Sequence, residues 1–237
     1  KFFFTSIFIV VFFVILYDQF YKKQTHLNII IQFSEKFNYQ LKFFNIYDLK
    51  NAKNAEIEKI IEKYIDQSIF LIPLKEISRQ IKSVDWVREV NLSSDLQNTI
   101  EIKILEYQPV GLYNFNESLY FFSNDGKIIT KSKNNSNIKK FIIFYGKNSI
   151  YHATYLISSL NKFSKLNMEK VKKAYYVGNR RWNILLENEI LLLLSEKNIE
   201  DSLENYIEIK KNFNDKNLNF IKSIDLRNNN KAIVSFK

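Results

Sequence analysis

Cysteine is absent from the 237 residues, which excludes disulfides, thiol catalysis and cysteine-bound metals. Histidine is scarce. His26 and His152 stand far apart, and neither has carboxylates at ligand spacing, so no metal site is expected. Only four glycines and two prolines occur. No Gly-rich phosphate loop, GxSxG elbow, HExxH pair or clustered carboxylate pair is present. Glu56, Glu58 and Glu62 lie among lysines and read as exposed i,i+4 partners. Glu101 and Glu106 flank a strand with no His or Lys at obvious range, and Asp225 with Arg227 reads as a strand-end ion pair. These absences point away from an enzyme, a cofactor and a small-molecule substrate.

What is present is apolar and basic. Hydrophobic residues make up 46%, too many for a disordered polymer, and the length allows one or two modest domains. The net charge of +10 could draw anionic lipid or wall polymer, but a solvated lysine surface is the plainer reading. No recognition helix or aromatic-basic motif suggests nucleic acid. Residues 2–17 (FFFTSIFIVVFFVILY) carry no charge, and no small-x-small cleavage site follows, so the run reads as a transmembrane anchor rather than a signal peptide. Its flanking charges are ambiguous: Lys1 precedes it, Lys22 and Lys23 follow it, and balancing charges are expected upstream because the chain begins on Lys.

After an anchor at 1–24 and a stalk at 25–38, residues 39–108 read as β-α-α-β-β. A strand falls at 39–47. One helix carries Ile57, Ile60, Ile61, Tyr64 and Ile65 with Asn54 as its cap, and a second opens at Pro73 with the stripe Leu74, Ile77, Ile81 and Val84. Strands at 86–92 and 99–107 close the unit, Ile100, Ile102 and Ile104 alternating on one face. Residues 109–237 read as a mixed second domain with short strands, helices near 149–164 and 199–213, a polar loop at 131–140 and a final strand pair at 221–226 and 231–236. The fold class is α+β.

Four motifs stand in order along this frame: 83–90 (SVDWVREV) with 100–110 (IEIKILEYQPV), 120–128 (YFFSNDGKI), 179–186 (NRRWNILL), and 224–227 (IDLR) with 231–234 (KAIV). Together they resemble the FtsQ/DivIB family, the first being similar to the signature of its POTRA domain. The resemblance covers roughly 39–237; residues 93–98 (SSDLQN) replace the family's RxxP turn. It implies a non-enzymatic, single-pass (type II) inner-membrane scaffold whose POTRA domain and β-domain lie in the periplasm at the septum. It also implies FtsB- and FtsL-like partners and a role in ordering and regulating septal peptidoglycan synthesis.

On this reading the partner edge comprises Arg227, Asn228, Asn230, Lys231, Ala232, Ile233, Val234 and Phe236. Ala232, Val234 and Phe236 are expected on one side of the last strand, and Lys231, Ile233 and Ser235 on the other. Arg227 holds the place of the family's DLR arginine and is expected to meet an acidic partner side chain. Trp86, Val87, Val90, Ile102 and Ile104 are expected in the POTRA core. A second reading is a POTRA-bearing periplasmic chaperone or secretion component acting by strand addition.

Overall fold

The computed structural model describes Tyr17 and residues 24–132, 138–163, 168–213, 218–228 and 231–237. The expected anchor thus lies almost wholly outside the described residues. Among those described, no helix is long and apolar enough to cross a membrane. The chain divides into two compact units, Lys1–Glu106 and Tyr107–Lys237.

In the first unit, helix α1 (24–36) precedes strand β1 (Phe43–Tyr47), helices α2 (Asn54–Ile61) and α3 (Leu74–Ile81), and strands β2 (Val87–Ser94) and β3 (Thr99–Glu106). The sheet order is β1-β3-β2, with β1 parallel and β2 antiparallel to the central β3. A parallel neighbour requires a long crossover, and α2 and α3 supply it. Alternation on β3 buries Ile100, Ile102 and Ile104. Ile57 and Ile61 of α2, and Ile77 and Ile81 of α3, meet them at i,i+4 spacing, with Leu41 and Val87 completing the cluster. The strand expected at 39–47 forms only from Phe43; Gln40 makes an isolated bridge to Ser68.

Two local expectations are corrected here. Asn54 does not cap α2: Lys53 holds that position without a side-chain bond, and the Asn54 amide donates to Glu58 at 2.6 Å. The loop before α2 is fastened instead by Glu106, read in the sequence as having no partner. Its buried carboxylate accepts the backbone N–H groups of Lys50, Asn51 and Ala52 at 2.8–3.0 Å, and the Asn51 amide at 2.9 Å. Burial pushes the Glu106 carboxyl up, but these bonds outweigh it and hold the group below its ordinary value.

The second correction concerns Trp86. Val87, Ile102 and Ile104 are buried and Val90 packs against them, whereas Trp86 is half-buried and outside the cluster. Its φ of +73° interrupts the extended backbone before β2 begins at Val87, so the strand alternation does not carry Trp86 inward. Trp86→Ala is therefore expected to cost about 1–2 kcal/mol, below the 3–5 kcal/mol typical of a fully buried tryptophan. Thermal melting of the full chain in detergent checks this; a loss as large as the core value would restore Trp86 to the core.

The scarcity of glycine has a visible consequence. Among the described residues, ten non-glycine residues take positive φ, including Asn38, Asp48, Asp66, Asn116, Asn148 and Asn179. Asn and Asp tolerate that region best, since a short polar side chain can bond the local backbone. The β2–β3 turn, which lacks the family's proline, is closed by Leu96 at φ +59° and by Asp95. The Asp95 carboxylate accepts the N–H groups of Gln97, Asn98 and Thr99 at 2.8–3.0 Å.

Among the described residues, the second unit holds a mixed sheet of nine strands. Its strands are β4 (Pro109–Phe115), β5 (Ser118–Ser123), β6 (Ile128–Lys131), β7 (Ile143–Tyr145), β8 (Val171–Val177), β9 (Arg181–Leu186), β10 (Leu191–Leu194), β11 (Ile221–Asn228) and β12 (Lys231–Phe236). They lie in the order β12-β11-β10-β9-β8-β7-β4-β5-β6. Helix α4 (Ser149–Phe163) connects the parallel pair β7 and β8, and α5 (Ile199–Lys211) connects the parallel pair β10 and β11. Both helices bury apolar residues in one cluster: Ala153 and Leu156 from α4, Leu203 and Tyr206 from α5, against Phe144, Trp182, Ile184 and Ile224 of the sheet. Phe144 stands edge-on to Phe122 (5.3 Å) and Trp182 (5.7 Å), and a Cβ at Gly111 would come within 2.7 Å of the Phe144 ring. The aromatic packing thus requires glycine at 111.

The start of β8 is tied to α5 by a buried polar group. Tyr206 Oη donates to Glu169 Oε2 at 2.6 Å, and Lys210 Nζ lies 2.8 Å from Glu169 Oε1. Burial, then the bond to Glu169, pushes the Tyr206 hydroxyl far up, so it remains a donor at any working pH.

Candidate functional site

The second unit's sheet ends at β12. Its pairing with β11 is antiparallel, with Asp225 opposite Ile233, Ile224 opposite Val234 and Asn228 opposite Lys231. Buried Ile221, Ile224 and Leu226 fix β11 to the core. On β12 only Val234 is half-buried against that core, while Ala232 and Phe236 are exposed. Of the three residues expected on one side of β12, Ala232, Val234 and Phe236, Val234 alone is half-buried. Register breaks between Asp225 and Asn228, and between Ile221 and Ser223, each place the extra residue in β11.

Ile233 and Phe236 leave 54% and 58% of their surfaces in water, although β-branched and aromatic residues usually serve a sheet by packing. Beyond β12 no described strand follows, so one side of its backbone carries N–H and C=O groups with no ladder partner. The far end is closed: Lys237 N donates to Phe220 O at 2.8 Å, and Lys237 Nζ to Asn219 O at 3.0 Å. Asn228 is the last described residue of β11, and Asn230 lies outside the described residues.

Arg227 is engaged within its own strand. Its Nε donates to Asp225 Oδ1 at 2.8 Å and to Oδ2 at 3.0 Å, while Nη2 closes on Oδ2. The guanidinium holds the Asp225 carboxyl below the usual carboxylate range, against its partial burial, and Arg181 adds to the effect. The sequence reading of a strand-end pair therefore describes the chain by itself. An acidic partner group would have to join or replace Asp225.

Register gathers further residues onto this corner. Asn183 of β9 is opposite Leu193 of β10, Leu193 opposite Asp225, and Asp225 opposite Ile233, which places the four in one row on one face of the sheet. Arg181, two residues before Asn183, shares that face. Arg181 Nε and Asn183 Oδ1 are buried with no hydrogen-bond partner among the described residues. Sequence reading took 179–186 as a family motif and 182–186 as a strand, and did not place these two near the C-terminal edge. Strand order and register brought them there, and neither is written in local pattern.

The corner offers strand pairing, apolar contact and charge, with no nucleophile–base pair. A cavity of about 840 Å³ elsewhere in this unit has Phe141, Ile142, Leu160, Met168 and Val171 in its wall and four lysines around them, with no His, Ser or Asp among its lining residues. Among the described residues no three His, Cys, Asp or Glu groups could hold a metal.

Comparison with known proteins agrees with this architecture. Residues 40–107 match the POTRA domain, FtsQ-type, and residues 111–227 match the C-terminal domain of cell division protein FtsQ/DivIB. The second match stops before β12. Cell division protein FtsQ of Rickettsia typhi is 31% identical over 205 residues, covering 86% of this chain and 76% of that protein. FtsQ of Rickettsia prowazekii is 30% identical over the same length, with 86% and 75% covered. FtsQ of Agrobacterium fabrum is 24% identical over 166 residues, with 68% and 52% covered. With both domain types matched in order and a relative 31% identical over 86% of the chain, the chain belongs to the FtsQ family of cell division proteins.

Proposed function

We propose that the chain is a non-enzymatic scaffold of the division machinery. Residues 1–24 anchor it once in the inner membrane, and its POTRA domain and β-domain lie in the periplasm at the septum. There it binds FtsB- and FtsL-like partners, and through them organises and regulates septal peptidoglycan synthesis. The observation that carries the reading is the free edge of β12, with two apolar side chains held in water beside unpaired backbone groups. An incoming strand would satisfy those groups and cover Ile233 and Phe236 in one step.

Arg227, Lys231 and the neighbouring Arg181 make the corner basic and favour an acidic segment in the partner. Phe236 is an aromatic anchor of the kind that dominates interface energy, so Phe236→Ala is expected to weaken binding by about 1–3 kcal/mol. Changes at Lys139 or Lys140 should matter little, because neither lies on the edge. Calorimetric titration of the detergent-solubilised chain with an FtsB-like periplasmic segment measures both. Equal losses from the lysine and the Phe236 variants would point to non-specific charge attraction. Topology has its own test: a reporter active only in the periplasm, fused after Lys237, should be active, and activity of a cytoplasm-only reporter there would reverse the orientation.

A further inference from the structure

Outside the C-terminal edge, a group of exposed apolar and aromatic residues lies at the start of the described part of the first unit. Ile29, Phe33 and Phe37 recur every four residues and share one side of α1, whose last turn continues through the bond from Phe37 N to Phe33 O at 3.0 Å. They are 59%, 46% and 53% exposed. The adjoining side holds the helix in place: Ser34 is buried, and its hydroxyl bonds Ile30 O and Ser68 Oγ, each at 2.7 Å.

The aromatic members form one cluster through Tyr39. Phe33 stacks on Tyr39 at 5.8 Å and meets Phe37 at 4.8 Å, while Tyr39 meets Phe70 at 5.5 Å. Phe70 comes from the short helical turn Ile69–Leu71 and is 45% exposed. Lys36 Nζ sits 5.7 Å from the centre of the Phe37 ring, placing a cation at the rim. An apolar aromatic side edged by lysine is the chemistry of a segment lying in the headgroup region of a bilayer.

We propose that α1 lies along the membrane, with Ile29, Phe33, Phe37 and Phe70 seated among the lipid headgroups. The inference rests on the membrane-anchor reading of residues 1–24. The apolar run ends at Tyr17 and α1 is under way at residue 24, and seven residues reach at most about 25 Å. The patch is thereby tethered next to whatever surface the run enters. An upright α1 would lift Phe37 roughly 20 Å along its axis, out of lipid reach, so contact by the whole stripe requires the helix to lie flat.

The absence of cysteine makes the test clean. Single variants Ile29→Cys, Phe33→Cys, Phe37→Cys and Phe70→Cys of the full chain are spin-labelled in phosphatidylethanolamine–phosphatidylglycerol vesicles. Gln32→Cys and Glu35→Cys serve as water-side references, and Ile9→Cys and Val14→Cys report on the anchor. Oxygen-to-nickel-chelate collision ratios should be several-fold higher at the four patch sites than at residues 32 and 35. Water-like ratios at the patch overturn the inference whatever residues 9 and 14 report, and low access to both reagents overturns it in favour of a protein contact. Lipid-like ratios at the patch with water-like ones at 9 and 14 uphold it and overturn the anchor alone.

Discussion

Ile233→Pro is expected to abolish binding of an FtsB-like segment while leaving the remainder of the β-domain folded. Proline removes an N–H and fixes φ, so a strand carrying it cannot complete a ladder on both sides. Along an antiparallel edge, successive residues direct their N–H groups alternately toward the neighbouring strand and away from it. Of Ile233→Pro and Val234→Pro, one therefore removes a bond to β11 and the other an outward donor. The inward change is expected to loosen the β11–β12 pair; the outward one should spare the pair and remove only the partner. Circular dichroism and melting separate these effects before calorimetry is read. Side-chain substitutions at Ala232 or Ser235 should be tolerated, because backbone bonds carry most of the contact. Full binding by both proline variants, each folded, would move the interface off this edge.

Glu106→Ala should be the most damaging single change in the POTRA unit outside its apolar core. It strips a charged acceptor from three backbone N–H groups and an amide at once, and hydrogen bonds to a charged group contribute about 1.5–3 kcal/mol each before compensation by water. Lys50 and Asn51 are exposed and can recover water, so a net loss of about 3 kcal/mol is expected. The effect has a defined pH dependence. The folded carboxyl titrates below its ordinary value of 4.5, so at acid pH the unfolded chain takes up the proton first. The stabilisation is complete above that value and is lost as pH falls through it toward the folded pKa. The gap in melting temperature between the parent chain and Glu106→Gln should be widest near neutrality and shrink toward pH 3. A gap that does not change with pH would mean the contact depends on shape and not on charge.

Much of this fold was legible in the sequence for a physical reason. Ile100, Ile102 and Ile104 alternate, while Ile57 with Ile61 and Ile77 with Ile81 recur at i,i+4, and those periods follow from backbone geometry alone. The β-α-α-β-β order, the helices near 149 and 199 and the closing strand pair all rest on such local signals. The misread positions share a different character. Asn54 looked like a cap because Asn often is one, yet the helix start was stabilised by Glu106, more than fifty residues later in sequence. Trp86 was expected in the core from its place in the POTRA-like motif, but the left-handed backbone at that residue removed it from the alternation.

The site divides in the same way. Composition and motif order pointed to the family and away from an enzyme, and they marked 227–236 as the segment of interest, because residue types and spacings along the chain carry such signals. Only the tertiary structure decided that β12 has a single neighbour among the described strands, and that Arg181 and Asn183 share the corner with Ile233. Sheet order and register are long-range choices. They are fixed when the whole apolar face is buried at once, so no window of local sequence contains them.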